Sequence, residues 1–197
     1  MNKKLIILIL IIAIVTINLG CVSKVQQGEE YFNQGVSLYN QGRYNEAIEN
    51  YGKVLELNPN HIMALTYKGL SLHEQKNYDD AIAAYEKAIS IDPNYKEAWN
   101  GKGNSLRSQG KYPEAITCFD TAINIDPNYT NVWNSKGIVL YTLDKHSEAI
   151  TCFDRVIAID PKDATAWYWK GLTLEKLGRN SEAQRCFNRA KQLGYSI

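Results

Sequence analysis

The stretch Lys96–Tyr129, KEAWNGKGNSLRSQGKYPEAITCFDTAINIDPNY, decides the fold. Its landmarks Trp99, Gly103, Ala115, Phe119 and Pro127 return 34 residues later as Trp133, Gly137, Ala149, Phe153 and Pro161. One period earlier the same positions hold Leu65, Gly69, Ala81, Tyr85 and Pro93. A fixed period of this length is the mark of a repeat architecture, in which each unit buries its apolar face against its neighbours. Working outward, five units fill residues 28–197 without insertion: Gly28–His61, Ile62–Tyr95, Lys96–Tyr129, Thr130–Asp163 and Ala164–Ile197.

Within a unit the apolar spacing is helical twice over. Trp99, Gly103 and Leu106 fall at i, i+4 and i+7, one stripe of a first helix, and Ala115, Phe119 and Ala122 do the same on a second. Gly103, Ala115 and Ala122 are small where two helices must approach closely, while Trp99 and Phe119 supply volume. Pro127 cannot continue a helix and sets the break before the next unit. Helices this short are marginal alone in water, so each unit needs its neighbours.

On these residues the units resemble tetratricopeptide (TPR) repeats. The resemblance carries the repeat glycines Gly35, Gly69, Gly103, Gly137 and Gly171 and the repeat alanines Ala47, Ala81, Ala115, Ala149 and Ala183. It implies an all-α fold, a right-handed α-solenoid of five helix-turn-helix repeats following an N-terminal apolar leader helix. Two positions depart from the family pattern. The residue before the glycine, usually Leu, is Gln34, Lys68, Lys102, Lys136 and Lys170, whose stems can cover apolar surface while the ammonium reaches water. In mid-helix, where the family favours Tyr, stand Leu38, Leu72, Leu106, Leu140 and Leu174.

The N-terminus has a different character. Lys3 and Lys4 precede an apolar run over Leu5–Ile17, then Gly20 and Cys21, the layout of an export signal over residues 1–21. Gly20-Cys21 after such a run resembles a prokaryotic lipoprotein signal, which implies lipidation at Cys21. Extension of the apolar run through Val22 leaves an uncleaved signal anchor as the alternative. The positive-inside rule puts the repeats on the extracytoplasmic side of the cell membrane in either case. Residues 22–27 read as a short polar linker.

Composition excludes several classes. Lys plus Arg is 22 against 21 for Asp plus Glu, a net charge of +1. Loss of Lys3 and Lys4 with the leader leaves 20 against 21, or −1. No basic face for nucleic acid is indicated. Cys118, Cys152 and Cys186 recur at one repeat position; equivalent helices stand roughly 10 Å apart, beyond the reach of a disulfide, so the thiols read as small half-buried packing residues. His61, His73 and His146 lie in different units without ligand spacing or a paired nucleophile. No enzyme activity, metal, cofactor or small-molecule substrate is expected.

Function is expected on the other stripe of the first helices, which in the family lines a concave groove. Residues two, five, nine and twelve of each unit occupy it. Its candidate partner-binding residues are Phe32, Tyr39, His73, Asn100, Asn104, Arg107, Asn134, Tyr141 and Tyr168. Asparagine is a poor helix former, and side-chain amides bond a peptide backbone irrespective of its sequence. Some TPR adaptors clamp a C-terminal carboxylate with Lys and Asn; only the Asn half is present here, with Arg107 the stripe's single cation in the third unit. Two functions follow: a membrane-tethered scaffold binding a protein or peptide segment, or a structural subunit of an envelope assembly or secretion complex.

Overall fold

The computed structural model describes residues 23–195, so the expected leader, its apolar helix and Cys21 lie outside the described residues. Every regular element among the described residues is an α-helix, and they divide into two compact units, Met1–Ile91 and Asp92–Ile197. The first holds α1 (23–40), α2 (Tyr44–Leu57), α3 (Ile62–Glu74) and α4 (Tyr78–Ile91). The second holds α5 (Lys96–Ser108), α6 (Tyr112–Ile125), α7 (Thr130–Thr142), α8 (His146–Ile159), α9 (Ala164–Lys176) and α10 (Asn180–Gln192). In the second unit α5 pairs with α6, α7 with α8 and α9 with α10; α5, α7 and α9 adjoin in turn. Residues 23–27, part of the stretch expected as a polar linker, are helical and form the start of α1. Ser23-Lys24-Val25-Gln26-Gln27 holds no Pro or Gly, and Gln27 donates to the Tyr31 hydroxyl one turn on at 3.3 Å.

One contact repeats through both units and explains the glycine. In each pair an aromatic ring of the second helix lies flat on the glycine of the first: Tyr51 on Gly35, Tyr85 on Gly69, Phe119 on Gly103, Phe153 on Gly137, Phe187 on Gly171. A Cβ at Gly103 would stand 2.5 Å from Phe119 Cε1, well inside van der Waals contact. The alanines behind the rings, such as Ala115, Ala122 and Ala149, are fully buried.

Three of the lysines that replace the family's leucine have partners of their own. Lys102, Lys136 and Lys170 stand 5.9, 5.9 and 5.8 Å above the rings of Trp99, Trp133 and Trp167. Lys136 also bonds Asp120, and Lys170 bonds Asp154, both at 2.5 Å. Each indole N–H donates to the carbonyl of the preceding break proline, Pro93, Pro127 or Pro161, at 2.8, 3.0 and 3.1 Å. Cys118, Cys152 and Cys186 are buried rather than half-buried, Cys152 and Cys186 in the clusters around these indoles. Burial raises the Cys152 thiol to about 11, which leaves it protonated and unreactive.

The turn inside each repeat is left-handed at one residue: Gly42, Lys76, Gly110, Asp144 and Gly178, with φ of 74°, 64°, 76°, 57° and 71°. The amide after it closes the helix end, as when Lys111 N–H donates to Leu106 O at 2.9 Å. Lys76 meets this conformation with a Cβ, at a cost of about 1 kcal/mol. Lys76→Gly should therefore raise the unfolding free energy by about 0.5–1 kcal/mol in a denaturant titration. A lower value would show that the lysine side chain contributes something the turn geometry omits.

Candidate functional site

In the second unit α5, α7 and α9 present their expected stripes side by side, and these stripes are already cross-linked. Asn100 Nδ2 donates to the Tyr129 hydroxyl at 3.4 Å, and Asn104 Nδ2 donates to Asn100 Oδ1 at 3.2 Å. One repeat on, Asn134 Nδ2 donates to Asp163 Oδ2 at 3.0 Å, while Asp163 Oδ1 caps α9 by accepting from Ala166 N at 2.8 Å. Both bonds link position five of a repeat to its last residue, so each asparagine ties its helix to the start of the next. The asparagines are half-buried and oriented, not loose on a wet face. Asn104 Oδ1 and Asn134 Oδ1 are buried and accept no hydrogen bond from the described residues.

Arg107 lies one turn beyond Asn104 on α5, half-buried. Desolvation lowers its guanidinium pKa, opposed only by the Tyr112 phenol, and none of the ion pairs among the described residues includes it. Lys96, at the other end of α5, is by contrast neutralised: it bonds Asp126 at 2.5 Å and stands 5.1 Å above the Tyr129 ring.

The aromatic candidates divide. Tyr141 packs edge-on against Trp169 at 5.5 Å and beside His146 at 5.6 Å, leaving it half-exposed on α7. Tyr168 is stacked on Tyr195 at 4.3 Å with 18° between the rings, so one of its faces is covered. In the first unit Tyr39 and His73 are half-buried beside Tyr44 and Tyr78 respectively. Phe32 requires a correction: it is 8% exposed and sits among Tyr51, His61 and Tyr67, a core ring with almost nothing to offer a partner. The same position in the next repeat, Thr66, is also buried. At position five the residues of the first two repeats are thus buried between adjacent first helices, whereas Asn100, Asn134 and Tyr168 of the later repeats stay half-buried.

Sequence reasoning missed Tyr129, Asp163 and Trp169, which hold Asn100, Asn134 and Tyr141 in place. The signal was present, since Tyr129 and Asp163 occupy one repeat position, 29 residues after the asparagine each one holds.

Family profiles described as tetratricopeptide repeat match residues 32–96, 84–117 and 164–194, and one described as TPR repeat matches 103–144 and 140–178. No curated protein matches the chain. Among solved structures it is similar to MamA, with 26% identity over 81% of this chain and 93% of that one and a TM-score of 0.71. A likeness to pilF of Pseudomonas aeruginosa has 19% identity, 89% and 80% coverage and a TM-score of 0.81. The third, YrrB, is a TPR protein with an unusual peptide-binding site; it is 22% identical over 83% and 84%, with a TM-score of 0.64.

Proposed function

Since the chain is a tetratricopeptide repeat protein, we propose that it is a non-catalytic scaffold that holds an extended segment of a partner protein against the α5–α7–α9 face. Arg107 carries this reading. A desolvated cation without a counter-charge is costly, and a partner's acidic side chain or terminal carboxylate removes that cost. Asn100, Asn104 and Asn134 are fixed by their hydrogen bonds, so they meet a peptide backbone with little rotamer entropy left to lose. Tyr141 supplies apolar contact beside them. The peptide-binding site of YrrB, on a similar fold, supports the same kind of activity here.

The partner is to be captured by crosslinking in intact membranes and its bound segment made as a peptide. Arg107→Ala should weaken that peptide by about tenfold or more, since hydrogen bonds to charged groups contribute about 1.5–3 kcal/mol. Asn100→Ala with Asn134→Ala should lower affinity too, and should also cost about 1 kcal/mol of stability for each lost inter-helix bond. Undiminished binding by Arg107→Ala, with a stoichiometric complex still recovered, would move the interaction off this face and favour a subunit role in an assembly.

We further propose that the scaffold is exported and held at the outer face of the membrane through its leader, on the strength of Lys3, Lys4, the apolar run and Cys21. None of the helices among the described residues is long and apolar enough to cross a membrane. Cys21→Ser should leave the precursor unprocessed or release the protein. Full-length unmodified protein in the cytosol would defeat the proposal.

A further inference from the structure

The first unit has a concavity on the side of its helices that carries the tryptophan–lysine pairs in the later repeats. It is an open pocket of about 480 Å³, with Leu65, Ala83 and Ala84 in its wall and Lys68, Asp80 and Lys87 around it. Its position in the repeat explains its existence. Leu65 stands where later repeats have Trp99, Trp133 and Trp167, and Ala84 where they have Cys118, Cys152 and Cys186. Ala83 stands where the third and fourth repeats have Thr117 and Thr151. Three truncations fall at one place, and together they leave the space open.

The same substitutions change the situation of Lys68. Its counterparts Lys136 and Lys170 each have an indole below and a carboxylate, Asp120 or Asp154, on the ammonium. Lys68 has Leu65 in place of the indole and Gly52 in place of the carboxylate, sixteen residues back as in the other repeats. A Cβ at Gly52 would meet nothing within 4 Å. Lys68 has thus lost both groups that its repeat position elsewhere provides, and Lys87 adds a second positive charge at the pocket.

We propose that this pocket docks an aromatic side chain with an adjacent acidic residue, presented by a partner protein. The fourth and fifth repeats show the chemistry that fits: a flat ring against the lysine stem and small wall residues, with a carboxylate on the ammonium. A volume of this size lies in the range, about 300–1,000 Å³, that ligand pockets occupy. The charge at the rim selects for acid, since Lys68 and Lys87 outnumber Asp80. This site is independent of the α5–α7–α9 face and does not rest on it.

The test uses the full chain in detergent micelles, ¹³C-labelled at alanine methyls, titrated with the peptide acetyl-Asp-Trp-Asp-amide. The Ala83 and Ala84 methyl signals should shift, whereas acetyl-Asp-Ala-Asp-amide and acetyl-Lys-Trp-Lys-amide should leave them in place. Lys68→Glu, at the rim, should weaken the acidic peptide at least about fivefold. Leu65→Trp with Gly52→Asp rebuilds what the fourth repeat carries and should abolish the shifts; Arg107→Ala should not alter them. Unmoved alanine methyls, equal response to the basic peptide, or shifts that survive Lys68→Glu would overturn the proposal. So would shifts that depend on protein concentration without peptide, which would make the occupant a second copy of this chain.

Discussion

Phe119→Ala is expected to be among the most damaging single changes in the second unit, at about 3–5 kcal/mol, and Gly103→Ala should follow it at about 2. The Phe119 ring is fully buried, and three of its atoms would lie 2.5–3.1 Å from a Cβ on residue 103. Alanine at 103 gains about 1 kcal/mol of helix propensity over glycine, so the steric term must exceed that gain for the protein to lose stability. It should, because Phe119 is a rigid ring wedged between helices and cannot swing aside as a long flexible chain would. The pair makes a sharper statement than either change alone. With Phe119 already reduced to alanine, Cβ at 103 enters vacated space, so the double variant should be less unstable than the two losses added. Denaturant midpoints of the four proteins decide it. A Gly103→Ala protein as stable as the parent would mean that the α5–α6 separation adjusts freely, and the contact would then not explain the repeat glycine.

How much was legible beforehand follows from which interactions recur with the period. The glycine–ring contact does, and so the repeat unit and its helical pairing could be read from Gly103, Phe119 and Pro127. The lysine before the glycine was read as a stem over apolar surface; the indole beneath it and the carboxylate on it need residues three and sixteen positions back, and were not seen. The stripe of candidate binding residues was harder. Helical geometry gives the angle of a side chain about its own axis but not the distance to the next helix. At position five that distance is short, so Phe32 and Thr66 became core, whereas Asn100 and Asn134 became bridges to Tyr129 and Asp163. Arg107 was picked out as a cation, but its want of a counter-charge depends on which acids the fold brings near, and no spacing rule states that.

The second large effect is expected at Trp133, and here the size of the loss separates three contributions. Trp133 packs against the buried cluster of Leu140, Ala149, Cys152 and Phe153, donates its indole N–H to Pro127 O at 3.0 Å and lies under Lys136. Trp133→Ala removes all three interactions and should cost about 3–4 kcal/mol, nearer the low end because the ring is only half-buried. Trp133→Phe keeps most of the packing but leaves the proline carbonyl without its donor, at about 1 kcal/mol. Lys136→Met keeps the aliphatic stem while removing the ion pair with Asp120 and the charge above the ring. Both groups touch water, so that change should cost less than about 1 kcal/mol. The expected order is therefore Trp133→Ala far above Trp133→Phe, with Lys136→Met last, read from denaturant midpoints at fixed ionic strength. None of the three should weaken a peptide bound to the α5–α7–α9 face unless the unit unfolds, because Trp133 and Asn134 are neighbours in sequence on different faces of α7. Should Lys136→Met prove as harmful as Trp133→Ala, the lysine would be the organising group of this cluster and the indole its accessory. The docking pocket beside Lys68 would then have to be argued from charge rather than from the vacant ring.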